Sequence, residues 1–139
     1  MTKVREVMTT NVFAVTVESP VLDVVRLMVE KNIGSVVVFR DDDPAGIITQ
    51  RDVMDRVVLR GLDPQKTGAE QIMSAPLITT SPDEDVDRLI VLLSQKRIKR
   101  LPVMAGKKLL GIISTTDIIA FRGHAVSQAL LELYRKHAW

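Results

Sequence analysis

Gly46-Ile47-Ile48-Thr49-Gln50-Arg51-Asp52 and Gly111-Ile112-Ile113-Ser114-Thr115-Thr116-Asp117 are two copies of one word, Gly-Ile-Ile-[Thr/Ser]-x-x-Asp, spaced 65 residues apart. Each copy starts as an apolar β-branched run and ends on a hydroxyl followed three residues later by a carboxylate. That pattern marks a buried strand turning into a helix. The spacing extends in both directions. Shifted by 65, Val7 to Arg56 lies over Ile72 to Phe121 without a gap, and ten of the fifty positions are identical. Met8/Met73, Val21/Val86, Lys31/Lys96, Ile33/Ile98 and Val38/Val103 are among them. An ungapped match of that length identifies a tandem duplication, which decides the fold before any single element is placed.

Each copy carries the same order of signals. A short segment comes first, Val12-Phe13-Ala14-Val15 or Leu77-Ile78-Thr79-Thr80. A helix follows, with Val21, Val24, Val25 and Met28 at i, i+3, i+4 and i+7, and with Val86, Leu89, Ile90 and Leu93 in the second copy. Ser19 and Pro20 read as its N-cap and first helical residue. A middle strand comes next, Ser35 to Phe39 or Leu101 to Met104, then a polar turn, then the signature strand and a second helix. The unit is β-α-β-β-α. The expected fold is therefore α/β (α+β): two tandem repeats packed as a pseudo-two-fold pair, because one such unit is too small to bury its own apolar face. The divisions are repeat one over 1–60, a linker over 61–68, repeat two over 69–123, and an amphipathic helix over 124–139 with Val126, Leu130, Leu133 and Tyr134 along one side.

Composition narrows the function. The chain has no cysteine, which removes disulfides, thiolate metal sites and a cysteine nucleophile. Its two histidines, His124 and His137, fall outside the repeat and read as surface residues of the last helix. Asp41-Asp42-Asp43 sits in a hairpin turn, where consecutive side chains diverge, so no metal is expected. No Gly-rich phosphate loop or nucleophile elbow is present, and no catalysis is expected. A net charge of +2 and 4% aromatics disfavour nucleic acid. With no apolar run long enough for a bilayer and no signal-peptide core, the expected compartment is the cytoplasm.

Two readings of the signature stand side by side. Thr49-x-x-Asp52 and Ser114-x-x-Asp117 are capping boxes that need no ligand. The same carboxylates are two-oxygen acceptors, suited to the paired hydroxyls of a ribose and unsuited to phosphate. Phosphate would meet cations, and copy two supplies Lys96-Arg97-Ile98-Lys99-Arg100 just before its middle strand. Where copy two has Lys99 and Arg100, copy one has Gly34 and Ser35.

The chain closely resembles a CBS domain pair, or Bateman module, over nearly its whole length. The resemblance rests on the two signature words, on the Met8-Thr9 and Met73-Ser74 openings, and on Arg100-Leu101-Pro102-Val103. It implies a regulatory, non-catalytic module with two clefts for adenosine derivatives. AMP is the first expectation, with ADP, ATP or S-adenosylmethionine as alternatives. It implies that one cleft uses Thr49 and Asp52 with Ile98, Lys99 and Arg100 of the other copy. The second uses Ser114 and Asp117 with Ile33, Gly34 and Ser35. It further implies a homodimer and a regulated enzyme or transporter as partner. The competing expectation is a ligand-independent dimeric scaffold in which the signature only caps helices.

Overall fold

The computed structural model describes residues 1–123. The expected C-terminal helix and both histidines lie outside the described residues.

The chain is a mixed α/β protein made of two repeats with the same internal construction. Copy one runs β1 (Ala14–Thr16), α1 (Val21–Lys31), β2 (Ser35–Arg40), β3 (Asp43–Thr49) and α2 (Gln50–Val53), which continues as a π-helical turn over Met54–Val58. After α3 (Ala69–Ile72), copy two runs α4 (Val86–Lys96), β4 (Arg100–Ala105), β5 (Lys108–Ser114) and α5 (Thr115–Arg122). The 65-residue spacing survives in the finest details. Both first helices end on a left-handed residue, Asn32 at φ 55° and Arg97 at φ 54°. Both hairpins turn through a left-handed residue, Asp41 and Gly106, and both slip register at the same place, after Val38 and after Val103.

The chain folds as two compact units that do not follow chain order. Among the described residues, one comprises Phe13–Leu77, and the other joins Met1–Val12 to residues 78–123. Each unit thus holds the helix and hairpin of one copy and the opening segment of the other.

In the unit over Phe13–Leu77, β1 pairs parallel with β2, and β2 pairs antiparallel with β3. The apolar face of α1 buries Val21, Val24 and Met28 against Val36, Val38 and Ile48 of the sheet. Val25 sits at the edge of this core. Burying a valine or leucine side chain contributes roughly 1.5–3 kcal/mol, so three per helix suffice to fix its orientation. Ala69 and Ile72 of α3 complete the core. Against expectation, Ser19 does not cap α1. Pro20 is the extended N-cap, and Ser19 Oγ accepts from Thr16 N at 3.1 Å. The first amides of α1 are satisfied instead by carbonyls of the segment expected as a linker, with Val21 N donating to Thr67 O and Leu22 N to Pro64 O.

In the other unit, α4 buries Val86, Leu89 and Leu93 against Leu101, Val103 and Ile113, with Val4 from the chain's opening segment beside them. Val4 stands where Ala69 stands in the first unit, and its backbone is tied alike. Val4 N donates to Glu84 O and Arg5 N to Pro82 O, as Ala69 N donates to Ser19 O and Glu70 N to Val17 O. Val86 N donates to Thr2 O, the counterpart of the Thr67 cap.

The sheet here has only β4 and β5. The expected strand at Leu77-Ile78-Thr79-Thr80 shrinks to one bridge, Thr80 to Val103. Proline explains the loss. In copy one, Val17 N donates to Phe39 O and Val37 N to Phe13 O. Pro82 and Pro102 occupy those two positions in copy two and have no N–H to give.

Candidate ligand-binding site

The signature turns are built by two contacts each. The first is a close backbone approach. In one unit Ser74 N donates to Ile47 O at 2.8 Å and Ile47 N to Ser74 O at 3.1 Å. In the other, Thr9 N donates to Ile112 O at 2.8 Å and Ile112 N to Thr9 O at 2.9 Å. The leading glycines make room for this. A Cβ on Gly46 would lie 2.8 Å from Ser74 O, and one on Gly111 would lie 2.5 Å from Thr9 O. The Met-[Thr/Ser] openings and the Gly-Ile-Ile words are therefore two halves of one bridge, made between the opening of one copy and the strand of the other.

The second contact is the capping box, realised in both copies. Thr49 N and Thr49 Oγ1 donate to Asp52 Oδ2 at 2.9 and 3.1 Å, and Asp52 N donates back to Thr49 Oγ1 at 3.4 Å. Ser114 N and Oγ donate to Asp117 Oδ2 at 3.0 and 2.9 Å, and Asp117 N donates to Ser114 Oγ at 3.1 Å. Capping thus engages Oδ2 of each carboxylate and leaves Oδ1 outside the box. The structural and the ligand reading of the signature do not compete for the same oxygen.

The two Oδ1 atoms meet different neighbours. Asp117 Oδ1 accepts from the Thr9 hydroxyl at 3.3 Å. Asp52, only 9% exposed, has the Arg56 guanidinium 3.7 Å from its Oδ1. Arg56 is held in place, since its Nη1 donates to Ile72 O at 2.6 Å. Copy two has Phe121 where copy one has Arg56. Arg56 has no signal in a comparison of copies, because the comparison highlights what the copies share. Its i, i+4 spacing from Asp52 was the available clue.

The ten expected site residues fall into two sets of five. Ser35 pairs in register with Thr49, and Gln50 N donates to Gly34 O at 3.3 Å, so Ile33, Gly34 and Ser35 lie against the Thr49–Asp52 turn. Arg100 pairs with Ser114, and Thr115 N donates to Lys99 O at 2.8 Å, so Ile98, Lys99 and Arg100 lie against the Ser114–Asp117 turn. Ile33 and Ile98 are partly buried on their respective cores. The basic segment is therefore a neighbour of Asp117 within one unit. Beside Thr49, Gln50 Nε2 is buried without a hydrogen-bond acceptor. Such a donor costs about 1–3 kcal/mol to leave unpaired.

Elsewhere, a groove of about 590 Å³ lies beside the first hairpin, between Asp43, Pro44, Met73 and Pro76, and no signature residue lines it. Among the described residues, no group of three or more carboxylates or histidines is placed to hold a metal ion. No helix among them is long and apolar enough to cross a membrane.

Comparison with known proteins agrees with this construction. The CBS domain family matches residues 4–59 and again 69–124. The uncharacterized protein MK0525 of Methanopyrus kandleri is 38% identical over 108 residues, which is 76% of this chain; the chain spans 55% of that relative's length. A solved structure of a putative signal-transduction protein with CBS domains from Burkholderia ambifaria is 36% identical, with a TM-score of 0.77, covering 84% of this chain and 89% of that one. At the level of fold alone, the CBS domain pair of protein MJ0100, solved with 5′-methylthioadenosine and S-adenosyl-L-methionine, matches with a TM-score of 0.77 at 22% identity over 86% of this chain and 94% of that one. Two family matches that span most of the chain, together with one signature built twice in the same way, place this protein in the CBS domain family as a tandem pair.

Proposed function

We propose that this chain is a regulatory, non-catalytic module of the cytoplasm that senses an adenosine derivative, AMP first among them, through its signature carboxylates. The observation that carries the reading is the division of labour within each carboxylate. Oδ2 holds the capping box, so a ribose hydroxyl could take the place of the Thr9 hydroxyl at Asp117 Oδ1 without unfolding the helix start. At Asp117 the same unit brings Lys99 and Arg100 to the turn, which gives a phosphate its cations on the side where the ribose has its acceptor. The MJ0100 pair shows that this fold can hold an adenosine ligand. Ligand affinity would then shift the state presented to a regulated enzyme or transporter.

The test is calorimetry with AMP, ADP, ATP and S-adenosylmethionine on the parent and on Asp117→Asn. The asparagine keeps an acceptor for the cap and removes the charge. A charge-assisted hydrogen bond contributes roughly 1.5–3 kcal/mol, so affinity should fall about ten- to over a hundredfold. No heat from any of the four at millimolar concentration would refute the reading.

A second reading, the homodimeric scaffold, is favoured by one observation. Met54, Val58, Leu59, Ile119 and Phe121 are exposed apolar side chains on the helices that follow the signatures. Sedimentation with and without AMP separates the two: a dimer whose mass and partner binding ignore nucleotide is a scaffold.

A further inference from the structure

We infer that Arg56 is an internal competitor for the ligand-facing oxygen of Asp52, so the copy-one turn is a binding site held shut by its own side chain. The inference rests on the adenosine reading of the signature. Three observations support it. Asp52 lies almost wholly out of water, where a lone carboxylate needs a partner, and Arg56 supplies one 3.7 Å from Oδ1. Arg56 is not a wandering surface cation, because its other amino group is anchored on Ile72 O at 2.6 Å. That anchor belongs to α3, so the side chain bridges the signature helix and the opening segment of copy two. Third, Gln50 Nε2 is a buried donor with no acceptor one residue from Thr49. An unmet buried donor beside the turn is a cost that an acceptor carried by a ligand would relieve once the turn opens.

The chemistry separates this role from that of a phosphate contact. A guanidinium has five N–H donors and no acceptor. Arg56 donates to the Ile72 carbonyl and sets its charge 3.7 Å from the Asp52 carboxylate, so that charge already has an opposite partner. A ribose hydroxyl seeking Asp52 Oδ1 must displace it. Apparent affinity is the intrinsic affinity multiplied by the open fraction, so a latch closed about nine-tenths of the time weakens binding about tenfold. Copy two carries Phe121 at this position, and the Thr9 hydroxyl donates to Asp117 Oδ1 at 3.3 Å.

The experiment is AMP titration by calorimetry on the full chain, comparing the parent, Asp52→Asn, Arg56→Gln and the double variant. Glutamine keeps a donor for Ile72 O and removes the charge; Arg56→Lys, which keeps the charge, guards against a fold effect and should stay near the parent. Expected is an Asp52→Asn effect under about twofold in the parent. In Arg56→Gln, a binding event should strengthen about tenfold and disappear again in the double variant. The inference is overturned if Asp52→Asn weakens AMP equally in both backgrounds. It is also overturned if Arg56→Gln weakens AMP, which would make Arg56 a phosphate contact. Binding that depends on Asp117 and ignores Arg56 sinks the latch while the adenosine reading stands. No binding of AMP by any variant sinks the latch together with the AMP assignment on which it rests.

Discussion

Replacing Gly111 by alanine puts a methyl group where the Thr9 carbonyl already lies. The new Cβ would sit 2.5 Å from Thr9 O and 3.2 Å from Met8 Sδ, and ordinary contact begins near 3.4 Å. The methionine can swing away, but the carbonyl is backbone and must retreat by about 0.9 Å. That retreat stretches both bonds of the bridge, Thr9 N to Ile112 O and Ile112 N to Thr9 O. Overpacking costs about 1–3 kcal/mol and each of the two backbone bonds about 1 kcal/mol if lost, so the variant should be less stable by roughly 3–5 kcal/mol. Against a typical total of about 5–15 kcal/mol this is readily measured. Urea unfolding gives the free energy, and hydrogen exchange at Thr9 and Ile112 locates the damage. Gly61→Ala is the control. Gly61 has φ +67° with nothing within 4 Å of its added Cβ, so it should cost only about 1–2 kcal/mol for the left-handed backbone and leave both amides protected. If Gly111→Ala unfolds within about 0.5 kcal/mol of the parent with both amides still slow, the close approach is not what holds the glycine.

Two further outcomes follow from the same geometry. Thr49→Ala and Ser114→Ala each delete the hydroxyl that accepts from the aspartate amide and donates to Oδ2, and each should cost about 1 kcal/mol in thermal or urea unfolding. The hydrogen bond from Arg5 lowers the Asp83 carboxyl below its ordinary 3.8, helped by the charges of Arg5 and Lys3. Because the folded value is depressed, the stabilisation is present above pH 3.8 and lost as pH falls through the folded value. Asp83→Asn should therefore melt slightly below the parent at neutral pH, with the gap closing in acid.

The repeat and its elements were legible in the sequence because each rests on local spacing. Val21, Val24 and Met28 declare a helix face wherever the helix docks, and the Thr-x-x-Asp word carries its own capping box. What could not be read was which copy an opening segment serves. Aligning Met8-Thr9 with Met73-Ser74 shows that they are equivalent and says nothing of their partner, since either hairpin offers the same Gly-Ile-Ile edge. The Ser19 cap failed for the same reason: the carbonyl of Thr67, far along the chain, supplies what the local hydroxyl was expected to give. The lost strand of copy two was readable in principle, because Pro82 and Pro102 remove two donors from its ladder. Arg56 was missed because it is where the copies differ.

The exchange of opening segments makes each half of this chain unable to finish itself. A fragment ending within residues 61–66 keeps α1 and its hairpin but loses Thr67 O, the core residues Ala69 and Ile72, and the Ser74 edge. Its own residues 1–12 are shaped for a hairpin it no longer carries. The remaining fragment is short of the same parts in reverse. Mixed together, each supplies what the other lacks, so the two copies are joined by reciprocal completion as well as by a peptide bond. A lone repeat could meet the same need only by trading its leading residues with an identical chain, and the tandem arrangement holds that trade within one molecule.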